Sequence, residues 1–191
     1  MENNNKNYFV HSSSYIDDGV KIGKGTKIWH FCHVQSGSVI GEQCSFGQNV
    51  NVSNNVKIGK GCKLQNNVSV YEGVELEDYV FCGPSMVFTN DLTPRAKYPK
   101  GNKGYKRTLL KKGATVGANA TIVCGNTLGK WCMIASGAVV TKDVKDYALM
   151  AGIPAKRVGW VCECGEVLKD RLTCTSCGRV YIECENGLVE R

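Results

Sequence analysis

From Val10 onward, every sixth residue of this chain is apolar: Val10, Ile16, Ile22, Ile28, Val34, Ile40, Phe46, Val52, Ile58, Leu64, Val70, Leu76, Cys82 and Phe88. With 42% hydrophobic residues, chance gives fourteen hits in a row with odds on the order of one in a hundred thousand per frame, so the spacing is a repeat. The run stops after Phe88 and resumes in a shifted phase at Leu110, Val116, Ile122, Leu128, Ile134 and Val140. A helix of 3.6 residues per turn has no period of six, and neither has a hairpin strand. A parallel β-helix does. Each hexad is a short strand with a corner, and three hexads close one triangular coil. The chain holds about twenty hexads, or between six and seven coils; at about 4.8 Å per coil they build a prism roughly 32 Å tall.

The other hexad positions agree. The fifth is small or compact and points inward: Val20, Thr26, Cys32, Ser38, Cys44, Val50, Val56, Cys62, Val68 and Val74. The fourth is repeatedly Gly or Asn (Gly19, Gly25, Gly37, Asn49, Asn55, Gly61, Asn67, Gly73, Gly113, Asn119, Gly125, Gly137), residues that tolerate a left-handed backbone at a tight corner. Glycine also recurs at the second position, as in Ile22-Gly23, Ile40-Gly41 and Ile58-Gly59.

The polar start of the chain, residues 1–9, lacks the apolar stretch of a signal peptide, and no apolar run approaches a membrane span. Eleven cysteines in such a chain point to a reducing cytoplasm, with thiols that are buried or bind metal. Cys32, Cys44, Cys62, Cys82, Cys132 and Cys124 read as apolar fillers of the prism. The net charge of +7 asks for an anionic partner.

Much of that charge sits where the repeat breaks. An insertion at a solenoid corner becomes a surface loop, here residues 89–109, and Pro94, Pro99, Gly101 and Gly104 keep it irregular. From Leu92 to Lys142 there is no acidic residue. Arg95, Lys97, Lys100, Lys103, Lys106, Arg107, Lys111, Lys112, Lys130 and Lys142 lie there without a counterion in the sequence. The stretch is either a solvated basic loop or a clamp for phosphates. Nucleic acid is the poorer fit, because few aromatics accompany the cations.

Residues eighteen apart stack on successive coils. Counting back from Asn90 gives Glu72, Asn54 and Ser36, all at the third hexad position. Such a ladder serves either corner backbone groups or a ligand. The histidines are His11, His30 and His33. His33 is an outward strand residue, His30 a corner residue and His11 an edge residue, and stacking of coils is not expected to bring the three together as metal ligands. After Trp160 the hexads end. Cys162-Glu163-Cys164-Gly165 and Cys174-Thr175-Ser176-Cys177-Gly178 resemble a small zinc ribbon over residues 161–191, with Cys162, Cys164, Cys174 and Cys177 as ligands and Cys184 to spare. Four thiolates leave no open position, so the role expected of the metal is structural.

The hexads resemble those of the left-handed β-helix hexapeptide acyltransferases. Several segments resemble, more narrowly, the bacterial nucleotide-sugar 3-N-acetyltransferases: Ile28-Trp29-His30-Phe31-Cys32-His33, Gly47-Gln48-Asn49-Val50, Leu64 to Tyr71, Phe81 to Asn90, and Gly152-Ile153-Pro154-Ala155-Lys156. The resemblance covers residues 10–160 and leaves the tail outside. It implies an all-β, left-handed parallel β-helix domain, a homotrimer with acetyl-CoA between neighbouring prisms, and N-acetylation of the 3-amino group of a nucleotide-linked sugar for surface polysaccharide synthesis. It implies Asn90 as the catalytic residue and Glu72, Asn54, Arg95 and His33 as substrate contacts. For the cofactor it points to Gly117, Ala118, Ala135, Gly137, Lys142, Lys156 and Arg157. Two alternatives remain at this level. One is O-acetyl transfer to a sugar or serine, which needs His33 or His30 as proton acceptor. The other is a non-catalytic scaffold with a binding zinc ribbon.

Overall fold

The computed structural model of the chain describes residues 7–169 and 172–191; positions 1–6 of the polar leader lie outside that set. Through residue 140 the backbone repeats one unit, a strand of two or three residues followed by a corner. Three parallel sheets result. The first runs from Phe9–Val10 to Met133–Ile134, the second from Tyr15–Ile16 to Val139–Val140, and the third from Lys21–Ile22 to Thr127–Leu128. Strand partners lie eighteen residues apart, as in Phe9 with Lys27 and Val39 with Lys57. The chain is therefore a three-faced parallel β-solenoid.

The hexad positions take the places their chemistry sets. First-position residues from Ile28 to Phe88 are at most 3% exposed. Val10, Ile16 and Ile22 are only partly buried, because they line the open end of the first coil. From Thr26 to Met86 the fifth position is buried too, and its polar members explain themselves. Thr26 Oγ1 donates to the Gly41 carbonyl at 2.8 Å and accepts from the Cys44 N–H at 3.0 Å. Ser38 Oγ donates to the Ser53 carbonyl at 2.8 Å. The thiols of Cys32, Cys44 and Cys62 each sit 3.1 Å from the equivalent corner carbonyl. They are weak donors to the corner as well as fillers. Burial pushes Cys82 and Cys132 up to about 12, so these thiols stay protonated and inert.

All twelve Gly and Asn residues of the fourth position have φ between 55° and 91°. Phe31, Gln43, Tyr79, Ser85 and Trp131 occupy the same slot with φ between 53° and 60°, so the coil imposes this backbone even on bulky residues. The second-position glycines answer a different constraint. A Cβ on Gly41 would lie 2.5 Å from the carbonyl carbon of Gly59 in the next coil.

Across the insertion Leu76 pairs with Leu110 and Phe88 with Ile122, thirty-four positions apart where the repeat gives eighteen. The prism thus continues in register, and residues 89–107 leave it as a loop. That loop is not wholly irregular, for Gly101–Gly104 forms a 3-10 turn. At the other end Ala148–Ala151 adds one more parallel strand to the first sheet, Lys156–Val161 returns antiparallel beside it, and Val167–Leu168 pairs next. A hairpin of Tyr181–Cys184 and Gly187–Glu190 follows. Trp160, Cys162, Leu168, Tyr181 and Leu188 join the hydrophobic core of the prism, and the Leu188 N–H donates to the Asp146 carbonyl at 3.3 Å. Residues after Trp160 therefore close the top of the last coil. Among the described residues no helix is long and apolar enough to cross a membrane.

The two glycine roles differ in cost. Gly19 has φ 79° and nothing within 4 Å of an added Cβ, so Gly19→Ala is expected to lose about 1 kcal/mol. Gly41→Ala forces two coils apart and is expected to lose about 3 kcal/mol or more. Thermal denaturation of both variants checks the order, and equal losses would refute the close-approach argument.

Candidate active site and cysteine cluster

The corner between the second and third sheets carries the polar ladder. Ser69 pairs with Val87, Phe88 with Ile122 and Ile122 with Val140. The column of third positions is therefore Ser36, Asn54, Glu72, Asn90, Cys124 and Lys142. Asn90 is half-buried. Its backbone carbonyl accepts from the Lys106 N–H at 2.9 Å, where the loop returns to the prism. Its carboxamide has no protein partner among the described residues. Glu72 is held on both oxygens: Asn55 Nδ2 donates to Oε1 at 3.3 Å and Asn102 Nδ2 donates to Oε2 at 3.1 Å. Asn54 is exposed and makes none of these bonds. Cys124 is buried, as a filler would be. It is 3% exposed at its corner, and its N–H donates to Thr89 Oγ1 at 2.9 Å.

The basic loop is less bare than its sequence. Lys100 Nζ reaches Asp91 Oδ1 at 2.7 Å, and Arg107 Nη2 reaches Glu75 Oε2 at 3.2 Å. The Lys100 ammonium holds the Asp91 carboxyl below the usual carboxylate range. Arg95, Lys97 and Lys103 are exposed on the loop without an acidic partner among the described residues. Arg95 Nη1 donates only to the neighbouring Pro94 carbonyl, at 3.3 Å.

The histidines divide. His33 Nε2 meets Asp17 Oδ1 at 2.7 Å, and the Tyr15 ring stands edge-on at 5.6 Å. His33 lies three coils below the Asn90 level, about 14 Å along the prism, so it does not reach Asn90 of its own chain. The His11 and His30 rings stack with centroids 3.6 Å apart, while His33 pairs elsewhere, so the three do not form one cluster. His11 lies one coil and one residue from His30, and a corner brings such neighbours face to face.

The cofactor candidates fall on two edges. Gly117, Ala118, Ala135 and Gly137 line the corner between the first and second sheets, with the Gly137 N–H donating to the Ala118 carbonyl at 2.8 Å. A Cβ on Gly117 would lie 2.5 Å from the Ser136 nitrogen, so coil stacking alone requires that glycine. Lys156 and Arg157 are exposed on the return strand beside this corner, and the Arg157 guanidinium lies 4.1 Å from the Trp160 ring centroid. Lys142 stands apart, at the top of the Asn90 column.

The tail brings its four cysteines together. The Sγ atoms of Cys162, Cys164, Cys174 and Cys177 all lie within 4.8 Å of one another. The closest pairs are 3.5 Å apart, far longer than a disulfide bond. Two partners that sequence reasoning missed flank them. Tyr181 OH lies 3.1 Å from Cys162 Sγ, and Arg179 Nη1 donates to Cys177 Sγ at 3.2 Å. The backbone N–H of Arg179, followed by its guanidinium, draws the Cys177 thiol down to about 6. Cys184 is exposed and outside the group.

The bacterial transferase hexapeptide (six repeats) family matches residues 19–54, and the hexapeptide repeat of succinyl-transferase matches residues 37–72 and 112–142. The dTDP-3-amino-3,6-dideoxy-α-D-galactopyranose 3-N-acetyltransferase of Aneurinibacillus thermoaerophilus is 40% identical over 183 residues, covering 95% of this chain and 94% of that enzyme. The chain belongs to the hexapeptide-repeat nucleotide-sugar N-acetyltransferases. Two solved structures share the fold. A hexapeptide transferase family protein from Anaplasma phagocytophilum is 20% identical with TM-score 0.56, over 82% of this chain and 80% of that one. A mutant of the N-acyltransferase AntD from Bacillus cereus, in complex with dTDP and coenzyme A, is 17% identical with TM-score 0.50, over 81% and 82%. The match to the Aneurinibacillus acetyltransferase also corrects the expectation that the likeness stops at Trp160. Covering 95% of the chain, it extends well into the cysteine tail.

In this acetyltransferase the Asp17–His33 pair has a measurable signature. The hydrogen bond from His33 holds the Asp17 carboxyl below its usual range. A depressed carboxyl contributes stability above its unfolded value and loses it as pH falls through the folded value. His33→Asn is expected to raise the Asp17 titration toward the ordinary aspartate range and to flatten the acid limb of the stability curve. Carboxyl-carbon NMR titration reads it, and an unchanged Asp17 titration would dissolve the pair.

Proposed function

We propose that this acetyltransferase moves the acetyl group of acetyl-CoA to the 3-amino group of a nucleotide-linked amino sugar, as a cytoplasmic step of surface polysaccharide synthesis. The observation that carries the reading is the unpartnered, half-buried carboxamide of Asn90, beside the gripped Glu72 and beneath the basic loop. It occurs in a chain 40% identical, almost end to end, to a 3-N-acetyltransferase.

The chemistry follows from those groups. The amine attacks as the neutral base, the carbonyl carbon becomes tetrahedral, and the C–S bond breaks as the C–N bond is kept. Asn90 Oδ1 accepts from the sugar amine and aims its lone pair at the thioester. Glu72 accepts from a sugar hydroxyl, with Asn54 at the outer rim. Arg95, Lys97 and Lys103 face the phosphates. The proton lost by nitrogen passes to the leaving thiolate, so proximity supplies much of the rate and no strong protein base is needed. The 40% identity to a 3-N-acetyltransferase favours this over O-acetyl transfer, where a hydroxyl needs a base. His33 in this reading touches substrate held against a neighbouring prism. The small residues Gly117, Ala118, Ala135 and Gly137 let pantetheine lie on backbone, with Lys156, Arg157 and Lys142 for its phosphates. Except for Lys142, which shares the Asn90 column, they occupy a different edge of the prism from Asn90, so two neighbouring copies complete one site, which is the reason for the homotrimer.

The tail takes a structural zinc in this proposal, held by Cys162, Cys164, Cys174 and Cys177. Four sulfurs within 4.8 Å suit a tetrahedral ion with Zn–S of about 2.3 Å. Bound there, the metal cross-links the tail and leaves no position for a reactant. Tyr181 and Arg179 offset the excess negative charge of four thiolates.

A screen of nucleotide-linked amino sugars with acetyl-CoA and a thiol-detecting dye tests the function. Asn90→Ala is expected to lower turnover at least about tenfold with the trimer intact; normal turnover would remove Asn90 from the site. His30→Asn with His33→Asn is expected to retain measurable turnover, and complete loss with substrate still bound would restore a histidine base. Elemental analysis is expected to find about one zinc per chain. Cys164→Ser with Cys177→Ser should abolish it and lower the melting temperature. Zinc retained in that variant would place the metal elsewhere.

A further inference from the structure

Glu72 is gripped by two amides of different origin. Asn55 is set by the prism: it has φ 60° at a fourth-position corner, and its Oδ1 fills the space of a Cβ on Gly37. Asn102 belongs to the inserted loop, thirty residues along the chain, and no rule of the hexad asks for it. The turn that carries it is braced. The Tyr105 N–H donates to the Asn102 carbonyl at 3.2 Å, and Lys100 Nζ donates to Asp91 Oδ1 at 2.7 Å and to the Thr93 carbonyl at 2.9 Å. A carboxamide that merely finished the turn would bond to the loop's own carbonyls. This one crosses to the prism and meets Glu72 Oε2 at 3.1 Å.

We propose that Asn102 is a positioning residue for the sugar site: its carboxamide latches the basic loop to Glu72 and fixes the direction in which that carboxylate faces the substrate. The inference rests on the reading of Glu72 as a sugar ligand. A carboxylate offers about four acceptor sites on its two oxygens. One amide on each oxygen stops the group from rotating and leaves one lone pair per oxygen for a ligand hydroxyl. The same bond holds down the segment that carries Arg95, Lys97 and Lys103. The loop's return is tied at Asn90 by the Lys106 N–H and at Glu75 by Arg107. Glu72, Asn90 and the loop therefore form one unit, and Asn102 is its link at the loop tip.

The decisive variant is Asn102→Asp, which keeps the shape and exchanges the donor for a carboxyl. Two carboxyl groups at this separation share one proton at low pH and repel when both are ionised. The other charged groups of this groove are Lys57, Glu75 and Arg107, the last two already paired, with Lys106 on the loop strand over Gly73. At about pH 5.5 the variant is expected to bind the nucleotide amino sugar within about twofold of wild type; at about pH 8.5 its KM should rise about tenfold, with kcat changing less. Asn102→Leu should raise KM at both values. Hydrogen exchange of the segment Gly101 to Arg107 gives a second reading, independent of activity. It should quicken in Asn102→Leu at both pH values and in Asn102→Asp only at the higher one. Wild-type KM and exchange in both variants would overturn the latch, as would a KM for Asn102→Asp that does not change with pH. Should the wild-type protein acetylate no nucleotide-linked amino sugar, the functional reading falls. Exchange then decides the latch alone: quickened exchange upholds it and unchanged exchange ends it.

Discussion

Stacking of one coil directly on the next governs this molecule. Each coil gives its backbone N–H and C=O groups to the coils above and below, so every corner must place its carbonyls as the last one did. Glycine at particular second positions follows, because a side chain there would meet the next coil's backbone, as at Gly41 and Gly59. A left-handed residue at the fourth position follows, even where the residue is Trp131 or Tyr79. So does a fifth-position residue that is small and, in Thr26, Ser38 and Cys44, able to donate to the carbonyl it covers.

A stack of coils has two ends, and they are treated differently. At the start Val10, Ile16 and Ile22 are half-buried, with no further coil against them among the described residues. At the top the return strand Lys156–Val161 reverses direction, and the tail brings Leu168, Tyr181 and Leu188 over the last layer. A cap of about thirty residues has little core of its own. Its four clustered thiols are the substitute, and this accounts for a cysteine tail at the end of the prism.

The sequence shows the prism clearly because periodic contacts leave a periodic trace: all twelve fourth-position Gly and Asn residues appear with the expected backbone. It shows the column of Asn90 for the same reason, since register arithmetic survives the insertion once Leu76 is matched with Leu110. What breaks the period was not legible. Asn102 meets Glu72 through a loop whose path no spacing encodes, and Asn55 reaches Glu72 from a slot that reads as a mere corner. The pairings of Lys100 with Asp91 and Arg107 with Glu75 were hidden because their acids lie outside the acid-free stretch.

The same contrast separates stability from function. A repeat makes every coil alike, and identical coils cannot single out one place for a reaction. The site proposed for this chain sits where the repetition fails. The insertion lifts six cations, Arg95, Lys97, Lys100, Lys103, Lys106 and Arg107, away from the pattern and sets Asn90 at the last step before it. The bonds of Asn102 and Arg107 fasten that insertion back to Glu72 and Glu75. The small-residue edge at Gly117 and Ala135 lies around a corner from Asn90, and under the proposed function a single prism then presents two half-sites facing different ways. On that reading a catalytic unit requires two prisms side by side, so the geometry that makes one coil stable also makes a lone copy incomplete.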